Sequence, residues 1–389
     1  MSENIASASL TSLFYAFEEA DGTIDASAVF KPIRLNEGGN TLAFQATRIA
    51  SEESRGDRHR TADRRGSFSV QGELTGQLAA GALDDFFLAG FCGVDWASRV
   101  TKTATDFGVL VNTATPDGII QGAAMAYVAG DIIAVSGFAN AANNGKFRVA
   151  TASATELTVT ALDGGEPGLV NEAAGESVTI ATQQRLITGV ERRTMAILER
   201  HTDVNVDYLY TGVEVNTVTI SGVAQEKYVV AFGVLGRNQE ELAAIPGGWT
   251  FDAATTSDFM TALDGLLLVA GEDFGIATEY TAAINNGIEQ KYAIARPSSI
   301  ASSIAPITAE GSLSAYFRDA LFYRRFLTDV DTVILLEATD GASGYRIGVP
   351  RGKFVEGSKQ AVGTDVIVAL SYSAGYDQTA NSELYLERY

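Results

Sequence analysis

Two histidines, His59 and His201, are all the imidazole in this chain, so a two-histidine metal site would need both and a Ser/His/Asp relay one of them. His59 sits among arginines, and His201 follows Glu199-Arg200 at the end of an apolar run. Both positions suit a surface or interface residue better than a metal ligand. Asn143-Asn144-Gly145-Lys146 ends in Gly-Lys but lacks the upstream Gly and the following Ser/Thr of a phosphate-binding loop. Gly341-Ala342-Ser343-Gly344 places its second Gly too soon after Ser for a nucleophile elbow. The single cysteine, Cys92, lies in the apolar run 86–91 and reads as a small buried hydrophobe. No catalytic residue, cofactor site or metal site is expected. Scattered carboxylates leave open a glycosidase-type acid/base pair, and Trp96 and Trp249 are the only tryptophans that a carbohydrate-binding cleft could use.

The chemistry that remains is charge. The formal net charge is -20 over 389 residues, which repels nucleic acid and anionic membranes. Against that background residues 51–66 stand out. They hold Arg55, Arg58, Arg60, Arg64 and Arg65 against Glu52, Glu53, Asp57 and Asp63. Guanidinium groups make directed, charge-assisted bonds to carboxylates, so this loop is a candidate docking element. A second group comprises acids on expected strands: Glu73, Glu214, Glu226, Glu279, Glu310 and Asp365. Strand alternation does not say which sheet face each occupies.

The elements that position these residues are mainly strands. Gly is abundant at 39 residues and Pro scarce at 7, and short runs rich in Val, Thr and Ala alternate with turn residues. The pattern repeats faintly. Gly72, Leu74, Phe87 and Leu88 recur as Gly311, Leu313, Phe326 and Leu327, at an offset of 239. Ile197-Leu198-Glu199 recurs as Leu335-Leu336-Glu337, at an offset of 138. The order of elements agrees too: strand, long polar loop, strand, helix, strand, hairpin.

In the first copy strands are expected over 41–49, 67–78, 195–200, 213–220 and 227–235, with a helix over 82–91 and a turn at 221–224. In the second they are expected over 276–283, 307–315, 333–338, 345–354 and 364–372, with a helix over 316–327. Asp84 and Asp85 in the first turn and Gly93 beyond the end suit the first helix. The difference between the offsets places an insertion of roughly a hundred residues in copy one, with its own strands over 131–138, 145–149, 156–160 and 177–180. The domains expected are thus 1–97 with 188–240 as copy one, 98–187 as an inserted small β barrel or sandwich, and 241–389 as copy two. The segment 238–249, with Pro246-Gly247-Gly248, reads as the linker.

Ser51-Glu52-Glu53-Ser54-Arg55-Gly56-Asp57-Arg58, then Asp63-Arg64-Arg65-Gly66 and Gly72-Glu73-Leu74, resemble the loop and strand of siphophage major tail tube proteins. The resemblance continues through Ala82-Leu83-Asp84-Asp85-Phe86-Phe87, Thr194-Met195-Ala196-Ile197-Leu198-Glu199-Arg200 and Tyr210-Thr211-Gly212-Val213-Glu214-Val215-Asn216, and ends at Ile347-Gly348-Val349-Pro350-Arg351-Gly352-Lys353.

It implies a duplicated tail-tube fold: two packed β-sheets plus a flanking helix and long loop per copy. Hairpins would join edge to edge between subunits into a barrel, and rings would stack through the loops. The partners implied are other copies of the chain, the tape measure, tail tip and terminator proteins, and DNA passing without specific binding. Family members with one tube fold form rings of six, so two copies per chain imply a ring of three, with six as the alternative. The implied location is the virion tail, after synthesis in the host cytoplasm. The start Met1-Ser2-Glu3-Asn4 lacks the pattern of a signal peptide, and no apolar stretch is long enough to span a bilayer. Other readings are a terminator or injection-apparatus tube, or a β-rich carbohydrate-binding or hydrolytic protein.

Overall fold

The computed structural model describes residue 7 and residues 10–389, except 21, 55, 112–117, 319, 320 and 364. The start of the chain, Arg55 of the loop and the Thr364 expected to open a strand therefore lie outside the described residues.

The chain begins with β1 (Thr11–Phe17), β2 (Val29–Pro32), β3 (Ala43–Ile49) and β4 (Arg64–Gln77), followed by α1 (Asp84–Gly90) and β5 (Ala97–Ser98). Next come β6 (Thr101–Ala104), β7 (Gly108–Val111), β8 (Gly118–Gln121), β9 (Ile132–Ser136), β10 (Gly145–Ala152), β11 (Glu156–Thr160) and β12 (Val178–Thr182). After β13 (Gln184–Ile187) follow β14 (Met195–His201), β15 (Val206–Val223), β16 (Val229–Gly236), β17 (Asn238–Leu242) and β18 (Thr250–Phe251). The last third holds β19 (Gly265–Val269), β20 (Glu272–Asp273), β21 (Ala277–Asn285), β22 (Glu289–Lys291), β23 (Ala301–Ser303), β24 (Thr308–Tyr316) and α2 (Leu321–Leu327). It closes with β25 (Thr332–Thr339), β26 (Gly344–Val362), β27 (Asp365–Ala374) and β28 (Tyr385–Arg388).

One eight-stranded antiparallel sheet runs β3-β4-β16-β15-β21-β24-β27-β26. Its first four strands and its last four pair in the same way: β3·β4, β4·β16 and β16·β15 recur as β21·β24, β24·β27 and β27·β26. The recurrence holds residue by residue. The row Glu214–Leu235–Gln71 becomes Lys353–Ser373–Glu310, and the ladder irregularity between Val215 and Thr217 recurs between Phe354 and Glu356. Such bulges bend a strand. Here each long strand leaves the sheet at its bulge and spends its N-terminal half in a second layer, where β15 pairs with β14 and β17, and β26 with β25 and β28.

The layers close on one apolar core. Val70, Leu74, Val218, Phe232 and Val234 of the sheet's first half share a cluster with Leu313, Val368 and Leu370 of its second, and with Tyr15, Ile197, Ile347 and Leu386 of the second layer. Helix α1 lies inside this cluster, with Phe86 and Phe87 fully buried.

Its end differs from the sequence reading. Cys92, not Gly93, takes the left-handed conformation (φ 50°). The Cys92 N–H donates to Ala89 O and the Gly93 N–H to Leu88 O, the paired bonds that close a helix at a left-handed residue. Cysteine bears the strain of that conformation because its side chain is also needed as buried filler.

Several boundaries differ from expectation. The β15–β16 turn spans 223–226, two residues later than expected, with Gln225 at φ 68°. Strand β26 runs eight residues beyond 354, and α2 is shorter than 316–327 because Tyr316 still belongs to β24. The segment 238–249 is no free linker: β17 pairs with β15, and Trp249 stacks on Phe30. Beyond it, Thr250 and Phe251 pair with β2, and Met260 bonds with Leu78 and Tyr228.

Strands β6 to β12 form a separate seven-stranded sheet around their own core of Phe107, Ile120, Ile133, Val149, Leu157, Val159 and Ile180. Three of these strands, β6, β7 and β8, are short or Gly-containing and escaped the sequence reading. The segment leaves and rejoins the body side by side, since Ala97 and Ser98 pair with Arg185 and Gln184.

Candidate assembly surfaces

The eight-stranded sheet is covered on one face only. Strand β16 alternates buried (Val230, Phe232, Val234) with partly exposed residues (Val229, Ala231, Leu235), and the register carries this alternation across all eight strands. The uncovered face presents mostly small and polar side chains: Gln45, Gln71, Thr75, Thr217, Thr219, Ser221, Thr281, Ser312, Ser314 and Ser371. Glu73, Glu279, Glu310 and Asp365 also lie on this face, and all four are exposed. So does Glu356, opposite Ser371, which sequence reasoning missed because it lies beyond the expected end of its strand. Lys359 points the other way, its ammonium 4.5 Å from the centre of the Phe317 ring and 4.1 Å from that of Tyr323. Over residues 69–77, 217–223, 229–235, 279–285, 308–316, 356–361 and 365–373 there is no other lysine or arginine. Over these stretches the face is acidic; Lys353, in the row of Ser373 and Glu310, bounds it and is paired with Asp329 and Asp331, and β3, outside these stretches, carries the exposed Arg48.

Two expected members do not belong to this set. Glu214 is 5% exposed because Arg192 and Ser302 close over its carboxylate. An ionised carboxylate that far out of water needs such a partner. Glu226 lies in the exposed β15–β16 turn, at the rim of the sheet.

The loop 51–63 connects β3 to β4 at one end of the sheet. Its described acids and arginines, Glu52, Glu53, Asp57, Arg58, Arg60, Asp63 and Arg64, are exposed. Local bonds shape it: Asp57 accepts from the His59 N–H, and Arg58 is left-handed at φ 61°. Arg65 is different. Its guanidinium carbon lies 4.8 Å from the centre of the Phe44 ring and 4.9 Å from that of Phe68, so it braces the base of the hairpin through cation–π contact. At the opposite end of the sheet Glu226, Asp258, Asp264, Glu272, Asp273 and Asp365 are exposed, interspersed with Arg34, Lys227, Arg318 and Arg325. That end keeps an acidic balance.

The two ends of the strand order are open. Strand β3 pairs only with β4, and the 353–362 stretch of β26 only with β27, among the described residues. In the middle of the sheet the two halves are joined by seven residue pairs, from Thr217↔Asn285 to Val223↔Glu279. Asn286, which is buried, locks this seam by donating to Gly90 O at 2.8 Å and Val215 O at 3.2 Å. The hairpin β22–β23 extends from the seam, and the loop it carries reaches back so that Pro297 O accepts from the Phe68 N–H at 2.9 Å.

The residues weighed for chemistry serve packing. His201 Nδ1 lies 2.9 Å from Thr11 Oγ1. Trp96 is buried beneath the Arg388 guanidinium, and Trp249 stacks on Phe30, so neither lines an aromatic cleft. The two discarded motifs meet each other: Lys146 Nζ donates to Ala342 O at 3.0 Å and lies 3.1 Å from Ser343 Oγ. Beside them Arg148 and Arg346 both bond Glu337. Burial pushes the Glu337 carboxyl up, but the Arg148 hydrogen bond and both guanidinium charges outweigh it and hold it below the ordinary value. Burial likewise pushes the Cys92 thiol up, which disfavours a reactive thiolate.

No curated protein matches the chain. A family model described as phage tail tube protein matches residues 8–375, nearly the whole length. A mainly β body with an uncovered acidic face and two open strand edges is what such a match leads one to expect of a subunit built to join others. The chain belongs to the phage tail tube protein family and is a structural subunit of the virion tail, assembling with itself and with other tail components.

Proposed function

We propose that three chains close into one ring, and that rings stack head to tail into a hollow conduit for DNA. The observation that carries this reading is the single eight-stranded sheet with both edges unpaired and one face uncovered. Unpaired edges are a liability that ring closure removes. A second layer and two helices cover the other face, so only the uncovered face can line a channel without blocking it.

Strand count supports this stoichiometry. Three chains contribute twenty-four strands, which at about 4.8 Å spacing make a barrel about 37 Å across before tilt, whereas six chains would give about 73 Å. The smaller bore passes a duplex while holding it centred. Glu73, Glu279, Glu310, Glu356 and Asp365 would then face the DNA. Like charge keeps phosphates from adsorbing, and Lys353, the lysine in register with Glu310, is countered by Asp329 and Asp331.

The basic loop and the acidic far rim lie at opposite ends of the sheet, as stacking requires. Arg58, Arg60 and Arg64 reach toward Glu226, Asp264, Glu272 and Asp273 of the adjacent ring, with Arg55 and the loop acids Glu52, Glu53 and Asp57 completing the contact. On this reading the copies are 1–97 with 188–240 and 241–389, except that residues 241–261 cover copy one although they precede the strands of copy two. The inserted module, 98–187, leans through Arg148 and Lys146 on the second layer, which puts it on the outside of the tube.

Negative-stain imaging of the purified chain tests the reading. Hollow rods of uniform width, with three outer knobs per ring in end-on averages, are expected. A monodisperse monomer under all conditions that polymerise tail tubes, including added tail-tip components, would refute it.

A further inference from the structure

The seam inside the chain is a template for the seam between chains. Resting on the tube reading above, we infer that the free edge of β26 pairs antiparallel with β3 of the neighbouring chain, Ser358 opposite Ala43, in the register that β15 and β21 already show. The repeat fixes this without adjustable parameters. By their ladder rows, Thr219 of β15 corresponds to Ser358 of β26, and Ala283 of β21 corresponds to Ala43 of β3. Thr219 and Ala283 are partners in the internal seam, so Ser358 and the neighbour's Ala43 are partners in the external one. On the covered side, Val218 opposite Ile284 becomes Gly357 opposite the neighbour's Phe44. A small residue against a large one replaces two of middle size, and an aromatic ring across from a strand glycine shields its bare backbone.

The polar contacts flanking the seam are inverted in charge. In the internal seam the acid is on the strand: Glu214 binds Arg192, from the loop before β14, and Ser302, from the base of the crossing hairpin. At the external seam the base is on the strand. Lys353 occupies the place of Glu214 and binds Asp329 at 2.9 Å and Asp331 at 3.8 Å, both in the loop before β25. The pair Glu289↔Ser303 corresponds to Ile49↔Arg64, so Ser302 corresponds to Asp63. The neighbour's Asp63 therefore meets Lys353. A β3 edge carrying Asp63 would meet the acid Glu214 if it entered the wrong seam, which favours strict alternation of copy one and copy two around the ring. The loop 292–300 touches copy one at Pro297 while Ile294 stays 99% exposed. In the same way the arginine loop would rest one flank on its ring neighbour and leave its tip free for the next ring.

Cysteine cross-linking of assembled tubes tests the register. Ala43→Cys with Ser358→Cys, oxidised after assembly, should give covalent dimers and trimers on a non-reducing gel, ending at three. Thr219→Cys with Ala283→Cys should link within one chain and serves as the positive control. Tubes that form but link no faster than either single cysteine, or that link better through Gln45→Cys with Ser358→Cys, overturn the register and leave the tube reading standing. Failure of the unaltered chain to form tubes sinks both. Charge exchange gives a second readout: Lys353→Glu should lower the pelleted fraction about tenfold, and adding Asp63→Lys should restore most of it. No rescue would remove Asp63 from the seam.

Discussion

Helices α1 and α2 hold the same station in the two halves of the molecule, yet they are not equally finished. Phe86, Phe87, Ala89 and Gly90 of α1 are buried, whereas Phe326, the counterpart of Phe87, is only half-buried and Leu327 is exposed. At the end of the sheet Leu78 is fully buried under Met260, while its counterpart Phe317 is 38% exposed, with no such strap over it among the described residues. Copy one is completed by copy two and by the connection between them; copy two takes β13 beside β28 and Asp84 of α1 on Tyr345 and Arg388, but its α2 side has no comparable cover among the described residues. The same strand order has been given two different degrees of burial, and on the proposed reading the difference falls where another subunit would sit. On the proposed assembly the asymmetry also separates folding from assembly, because one seam is made with the fold and the other would form only on meeting a neighbour.

Removing matched side chains should break this comparison most plainly. Phe87→Ala is expected to cost about 3–5 kcal/mol, the usual range for a fully buried phenylalanine. Phe326→Ala should cost the isolated chain less than half as much. Urea midpoints of the two variants decide it, and equal losses would mean that copy two is as complete as copy one.

The inserted module offers the next largest effect. Glu337 is 4% exposed between Arg148 and Arg346. Its carboxyl is held below the ordinary range, so its contribution is present above the unfolded value of about 4.3 and is lost as pH falls through the folded one. Glu337→Gln should therefore cost about 2–4 kcal/mol at neutral pH and much less at acid pH. Thermal melts at pH 7 and pH 3 measure this, and a pH-independent loss would assign the effect to packing.

Asn286 sharpens the contrast between the seams. It donates to two backbone carbonyls in the internal seam, and its counterpart by register is Ala46, which has no side-chain donor. Asn286→Ala should cost about 1–3 kcal/mol, because it strands two buried acceptors. Ala46→Ser should leave the stability of the isolated chain unchanged. Amide hydrogen exchange across 217–223 should rise in the first variant only.

The smallest effect should be at Cys92. Cys92→Gly relieves a left-handed conformation and gives up the burial of a thiol, two terms of about 1 kcal/mol each and opposite sign. A midpoint change of more than about 1 kcal/mol would show that the helix end is not balanced in this way.

Much of the fold was legible because the alternation of strand residues is a local property. The order of elements, the repeat, the first helix with its Asp84-Asp85 start and the four longest inserted strands could all be read from spacing. Strand β26 was cut short because Gly357 interrupts its pattern, and only its long pairing with β27 carries it through. Residues 238–261 read as a connection because Pro246-Gly247-Gly248 announces a turn, while nothing local says that Trp249 will find Phe30. Of the acids, Glu73, Glu279, Glu310 and Asp365 share the uncovered face. Glu214 alternates correctly but is capped by Arg192 and Ser302, which are distant in sequence.

By itself the sequence determined a duplicated β architecture, a strongly acidic chain with one basic loop, and the family that such a loop and its flanking strands resemble. These are carried by composition, period and order, which survive without a three-dimensional frame. Tertiary structure alone decided that both copies share one sheet, that one of its faces is acidic and uncovered, and that its two edges remain unpaired. Strand pairing is non-local: which backbone groups find partners depends on segments scores of residues apart, so no local window of residues can tell a finished edge from an open one.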